Sequence, residues 1–248
     1  MSTAWVAEVV RPVPREDDRW LLDEDDVPES PLHDLVIDLI TRVLRAWVRR
    51  TGRDLSVHRN IALRWNPAKH RMGCDPDVCV EEPALSETET SILLWKPGHT
   101  PPRVAVEVVS EGTAAKDYLD NPDRYAACGA GELCIFDPLL LGPEESGGPW
   151  PLQVYSRRPG GRFLRVYAGE GPAFSEVLGA WWVITEGGRR LRIADDEEGA
   201  ALWPTDEERA EAEVAARDAE IAVRDAEIAA RDAEIARLRA MLAARRDP

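Results

Sequence analysis

Residues 104–110 read Val-Ala-Val-Glu-Val-Val-Ser, and this run limits the fold more than any other stretch. A β-branched run introduced by Pro101-Pro102 suits a central strand covered on both faces. Alternation along that strand puts Glu107 on one face with Ala105 and Val109, and Val104, Val106 and Val108 on the other. One face is then pure core. The other carries a carboxylate, which is costly there unless it is protonated, paired or bound to a metal.

A second acid lies upstream, in Cys74-Asp75-Pro76-Asp77-Val78-Cys79-Val80. Pro76 suits a strand start, so Asp77 falls among the first residues of an apolar strand. Asp77 and Glu107 at the same end of adjacent strands would make a hard-oxygen site for a divalent cation such as Mg2+ or Mn2+. The alternative is that Asp77 caps a turn and Glu107 pairs with a basic side chain, since buried ion pairs also explain such acids.

The elements around these two strands predict an α/β body. Ser30 is a good N-cap and Pro31 suits the first helical position. Leu32, Val36, Leu39, Ile40, Val43 and Trp47 recur at helical spacing until Thr51-Gly52 stops the helix. His33 and Asp34 lie in its first turn, from which a side chain reaches a neighbouring site; a surface or capping role is the alternative for His33. Residues 55–64 alternate enough for one strand. Residues 113–128 read as a helix that Pro122 interrupts, and 132–138 as the next strand. Residues 152–155 and 163–167 flank Pro159-Gly160-Gly161, and 181–185 and 191–194 flank Glu186-Gly187-Gly188; both read as hairpins. The expectation is a mixed central sheet flanked by helices, with an antiparallel β extension.

The two ends differ from the body. Residues 1–29 are polar and contain Glu16-Asp17-Asp18 and Asp23-Glu24-Asp25-Asp26, which reads as an acidic, extended arm; Trp20-Leu21-Leu22 is its segment suited to packing on the body. The body is expected over 30–204. In the tail, 205–248, Thr205 and Glu208 form a capping-box pattern. Beyond it Val214, Ile221, Ile228, Ile235 and Leu242 recur in one heptad phase. Arg224 and Asp225, then Arg231 and Asp232, occupy the second core position, so the seam is thin. A single helix of about 60 Å is expected, pairing with a second copy or a partner helix, or else solvated and held by Glu, Asp and Arg pairs.

The chain has a net charge of −15 and 44% hydrophobic residues, enough for a core. No apolar run reaches the ~20 residues of a membrane span, and residues 1–13 lack a basic region followed by an apolar core, so neither membrane insertion nor a signal peptide is expected. Cys74, Cys79, Cys128 and Cys134 show no CxxC spacing. They read as buried free thiols of a cytoplasmic protein, an all-cysteine zinc site being the alternative. The acidic charge weighs against unaided duplex binding, which a bound metal and a local basic rim would offset.

Pro76-Asp77-Val78, Val106-Glu107-Val108-Val109-Ser110, Thr113, Asp117, Tyr125, Gly129, Glu132 and Asp137-Pro138 together resemble the Uma-two family, endonuclease-like proteins of the restriction-endonuclease-like PD-(D/E)XK superfamily. The resemblance runs from about residue 20 to 205. It implies Mg2+- or Mn2+-dependent hydrolysis of nucleic acid, DNA first, with Asp77 and Glu107 as metal ligands. A lysine usually completes such a site. The superfamily's lysine position is Val109 here. The family's alternative, four residues after the Asp and four before the Tyr, is Asn121. Lys116 is the nearby ammonium, but five residues earlier and on another helical face. His33 matches a histidine near the start of the family's first helix. The rival expectation is a non-catalytic scaffold whose tail binds a partner.

Overall fold

The structure is a computed structural model that describes residues 7–9 and 30–244. The acidic runs of the arm and Trp20-Leu21-Leu22 lie outside the described residues. By internal contacts the chain divides into two units, Met1–Trp203 and Pro204–Pro248.

The first unit is built on a seven-stranded mixed sheet. Its strands in chain order are β1 (Ala7–Val9), β2 (Ser56–Arg59), β5 (Val78–Glu81), β7 (Val104–Val108), β8 (Glu132–Phe136), β9 (Leu152–Arg157) and β10 (Phe163–Gly169). In space the order is β1-β10-β9-β8-β7-β5-β2. Within it β7 and β8 run parallel and the other neighbours antiparallel. A parallel pair needs a crossover, which here carries helix α2 (Asn121–Cys128). Two small sheets accompany the large one: β3 (Ala62–Arg64), β4 (Gly73–Cys74) and β6 (Ser91–Leu93) in order β4-β3-β6, and β11 (Ala173–Ser175), β12 (Ala180–Thr185) and β13 (Arg190–Ala194) in order β11-β12-β13.

The alternation of β7 divides the core in two. Val104, Val106 and Val108 join one cluster with Val78, Val80, the Val36, Ile37, Ile40 and Leu44 stripe of helix α1 (Pro31–Thr51), and Trp182 of β12. Ala105 and Val109 join the other with Cys79, Leu133, Ile135, Tyr118 and Tyr125, under β3, β4 and β6. At about 25 cal/mol per Å2 of apolar area, each fully buried large side chain contributes roughly 1.5–3 kcal/mol. Glu107 points into the second layer, 3% exposed.

Helix α1 begins as its sequence predicts. The Ser30 side chain accepts from the His33 amide at 3.2 Å, and Gly52 closes the other end at φ 62°. Residues 55–64 form two strands instead of one. Asn60 adopts φ 50° and its amide donates to the Asp77 carbonyl at 3.2 Å, so the chain turns there and β3 leaves the large sheet. Asparagine tolerates that left-handed conformation because its short polar side chain bonds locally. The first hairpin, β9 and β10, continues the central sheet. The second, β12 and β13, forms its own sheet and covers α1 with fully buried Trp182.

The second unit carries helix α3 (Asp206–Ala244), 39 residues. Its start is a reciprocal capping box: the Thr205 amide donates to Glu208 Oε2 at 2.8 Å, and the Glu208 amide donates to Thr205 Oγ1 at 3.1 Å. Val214, Ile221, Ile228, Ile235 and Leu242 are between 46% and 62% exposed. No described helix is long and apolar enough to cross a membrane.

Candidate active site

Strand register brings the two acids together. Val78 pairs with Val106 and Val80 with Val104, and one more step of that register sets Asp77 opposite Glu107. Directly opposite residues of an antiparallel pair lie about 5 Å apart and share a face. The Asp77 side chain closes the strand end: its Oδ2 accepts from the Val108 amide at 2.7 Å. The same oxygen lies 3.4 Å from His33 Nε2, at the start of α1, and His33 is 6% exposed. Helix α1 thus meets the β5–β7 end through its first turn.

Glu107 is held from the other side. Its Oε1 accepts from the Tyr125 hydroxyl at 2.5 Å. Burial, with the Asp77 charge next in weight, pushes the Glu107 carboxyl well above the usual carboxylate range, and Lys116 pulls against that rise. Burial likewise raises the Tyr125 phenol, and Glu107 adds to it.

The segment after β7 supplies the remaining groups. The Ser110 amide donates to Thr113 Oγ1 at 3.2 Å and starts the turn into the crossover. Thr113 Oγ1 donates to Asp117 Oδ2 at 2.5 Å, and Asn121 Nδ2 donates to Asp117 Oδ1 at 2.9 Å. Asp117 is 1% exposed. Burial lifts its carboxyl to about 7, against the Lys116 charge and the Thr113 bond. Lys116 Nζ lies 3.7 Å from Asp117 Oδ1, with its side chain 43% exposed. Burial works against the ammonium, but the carboxylates of Glu107, Asp117 and Asp77 outweigh it and hold its pKa above the ordinary lysine value.

The backbone here is not α-helical. Lys116–Asp120 is a π-helical turn, and the Asn121 amide bonds to the Lys116 carbonyl, five residues back. Pro122 follows. It has no amide hydrogen, and its ring crowds the carbonyl four residues earlier, at Tyr118, which widens the preceding turn. In an α-helix positions 116 and 121 lie on different faces; the wider turn closed by an i to i+5 bond reduces the angle between them. Lys116 therefore shares the field of Glu107 and Asp77, while the Asn121 amide is 1% exposed and committed to Asp117.

Sequence reasoning gave Asp117 no role in the site. Its signal was the spacing Thr113, Asp117, Asn121, Tyr125, four residues apart each time, which lines one side of a helix with polar groups.

A family profile described as "Uma2: Putative restriction endonuclease" matches residues 7–173. The chain belongs to the Uma2 family. The match spans both acids and the crossover, so this Uma2 chain has the restriction-endonuclease-like mixed sheet with the acids at one end. A crystal structure described as that of "a putative nuclease belonging to DUF820 from Anabaena variabilis ATCC 29413" is 14% identical; the match covers 60% of this chain and 74% of that one, with a TM-score of 0.40. No curated protein matches.

The donor set suits a hard divalent cation. Asp77 and Glu107 offer oxygen only, and a cation held between them would offset the cost of burying their charge. Among the described residues no group of three or more His, Cys, Asp or Glu side chains is arranged to hold a metal. The four cysteines are free and buried.

Proposed function

We propose that this chain is a divalent-metal-dependent nuclease acting on the phosphodiester bonds of nucleic acid, DNA first. The observation that carries the reading is the bond from the Val108 amide to Asp77 Oδ2, which ties one acid to the residue beside the other. Asp77 and Glu107 would hold Mg2+ or Mn2+, which supplies Lewis-acid polarisation of a phosphoryl oxygen when bound. The chain's own residues do the rest. Tyr125 fixes the rotamer of Glu107 through its 2.5 Å bond. His33 braces Asp77. Lys116 offers the ammonium that orients the attacking water and meets the charge growing on the phosphate. Asn121 keeps Asp117 in place beside Lys116.

The test is cleavage of duplex and single-stranded DNA by the purified chain with Mg2+ or Mn2+, alongside metal titration by calorimetry. Glu107→Ala is expected to abolish cleavage and weaken metal binding. Absence of both activities in the natural chain sinks the reading.

A second reading draws on one observation: the family's lysine position is Asn121, buried and bonded to Asp117. A chain that had lost catalysis would keep this fold as a scaffold and act through the exposed apolar residues of α3. It predicts no cleavage with either metal and a partner or self-association that depends on the tail.

A further inference from the structure

We infer that the hairpin of β3 and β4, with the turn after β6, is a docking surface for the phosphate backbone of the substrate. This inference rests on the nuclease reading and extends it to how an acidic protein holds a polyanion.

Residues 55–74 contain no Asp or Glu but carry Arg59, Arg64, Lys69 and Arg71, with His58 and His70. Arg59 and Arg64 pair with Asp34 and with Asp75 outside the stretch, which leaves Lys69 and Arg71 at the tip as the cations that carry the surface in a chain of net charge −15. Other cationic stretches have different positions. In the hairpin of β9 and β10, Arg157 bonds the carbonyls of Ala126 and Ala130 at the end of α2, and Arg158 pairs with Glu176 at 2.5 Å. Residues 55–74 instead run without a break into Asp77.

The hairpin is a rigid presenter. Trp65 and Met72 are buried at its base. Asn66 Oδ1 accepts from the Ala68 amide at 2.9 Å, the Lys69 amide donates to the Asn66 carbonyl at 3.2 Å, and the Met72 amide donates to the Lys69 carbonyl at 2.9 Å. A Cβ at Gly73 would run into the Leu63 carbonyl oxygen, so the two strands close tightly. At the tip His70 and Arg71 are exposed and Lys69 half-buried. Because β6 runs parallel to β3, residues 94–98 emerge at the same end. His70 packs edge-on to Trp95 at 6.0 Å, and exposed Lys96 follows, with Glu89 at 3.8 Å from its ammonium. Lys69, Arg71 and Lys96 thus crown one ridge.

The ridge is anchored to the acids. Arg124 Nη1 of α2 donates to the Gly73 carbonyl at 2.8 Å, next to Tyr125. Arg71 is six residues from Asp77, so the chain separates them by at most about 20 Å. A strand advances about 3.4 Å per nucleotide, so a phosphate at Asp77 and Glu107 leaves phosphates some six nucleotides away within reach of the ridge.

The experiment measures binding of a fluorescein-labelled duplex of about two helical turns, and of its single strand, without divalent cation, across a salt series. The full chain is compared with Lys69→Glu/Arg71→Glu and with Arg162→Glu/Arg189→Glu, which carries the same charge change elsewhere. The first variant is expected to bind about tenfold more weakly, with the slope of log affinity against log salt smaller by about 2. The second should stay close to the natural chain. Lys69→Gln/Arg71→Gln, with a thermal melt for each protein, separates lost contacts from lost folding. Equal affinity and slope in the two charge-reversed variants overturns the hairpin surface. If the natural chain still cleaves DNA with Mg2+ or Mn2+ in that case, the nuclease reading stands alone. A natural chain that neither binds nor cleaves overturns both.

Discussion

The Tyr125 hydroxyl donates to Glu107 Oε1 at 2.5 Å, with Tyr125 fully buried and Glu107 3% exposed. This bond joins the crossover helix to the central strand at a carboxyl that burial penalises. Tyr125→Phe leaves a buried carboxyl oxygen without its donor. That costs about 1–3 kcal/mol, and thermal denaturation should show a drop of a few degrees, at roughly 2–4 °C per kcal/mol. An unchanged melting midpoint would show that Tyr125 does not hold Glu107 in solution.

Lys116 and Asn121 separate by what they do. Lys116→Met keeps the aliphatic stem and removes the ammonium. It should lower kcat by about a hundredfold, with little change in KM or melting midpoint. Asn121→Ala removes a buried bond to Asp117 and should cost about 1 kcal/mol of stability. A Lys116→Met enzyme that cuts DNA at the natural rate excludes the ammonium from the chemistry.

Glu81 is fully buried on the layer that holds Cys79 and Cys128, and burial pushes its carboxyl to about 8. The folded chain therefore keeps this proton after the unfolded chain has released it. Stability contributed by Glu81 is full below the ordinary glutamate value of 4.5, falls as pH rises, and is lost above about 8. Glu81→Gln should flatten the stability profile across that window and stabilise the protein at pH 9 by on the order of a few kcal/mol. Denaturant melts at pH 5, 7 and 9 check it; parallel profiles for both proteins contradict the shift.

The tail offers an independent measurement. Ile221 and Ile228 are each 55% exposed on one heptad phase. Ile221→Lys/Ile228→Lys should abolish any self-association seen by sedimentation and leave DNA cleavage intact. Loss of cleavage in this variant would mean that the nuclease needs its tail.

Much of the fold was legible because its signals are local. Ser30, Pro31 and Gly52 set the ends of α1 by capping and backbone preference, and Thr205 with Glu208 set the start of α3. The β-branched run at 104–108 announced a central strand. The break at Asn60 was not legible, because φ 50° at an asparagine is one option among several until the Asp77 carbonyl offers a partner. Nor was the sheet order, in which the first hairpin extends the main sheet while the second leaves it.

The sequence by itself determined that Glu107 would lie on a half-core face and that Asp77 would open a strand, since alternation and proline placement act within a few residues. Only the tertiary structure decided that β5 and β7 pair in a register that sets those acids opposite each other. Only it decided that the turn before Pro122 opens into a π-helix, which gives Lys116 a place in their field. Pairing register and helix winding are settled by contacts between segments distant in the chain, and no local preference encodes them.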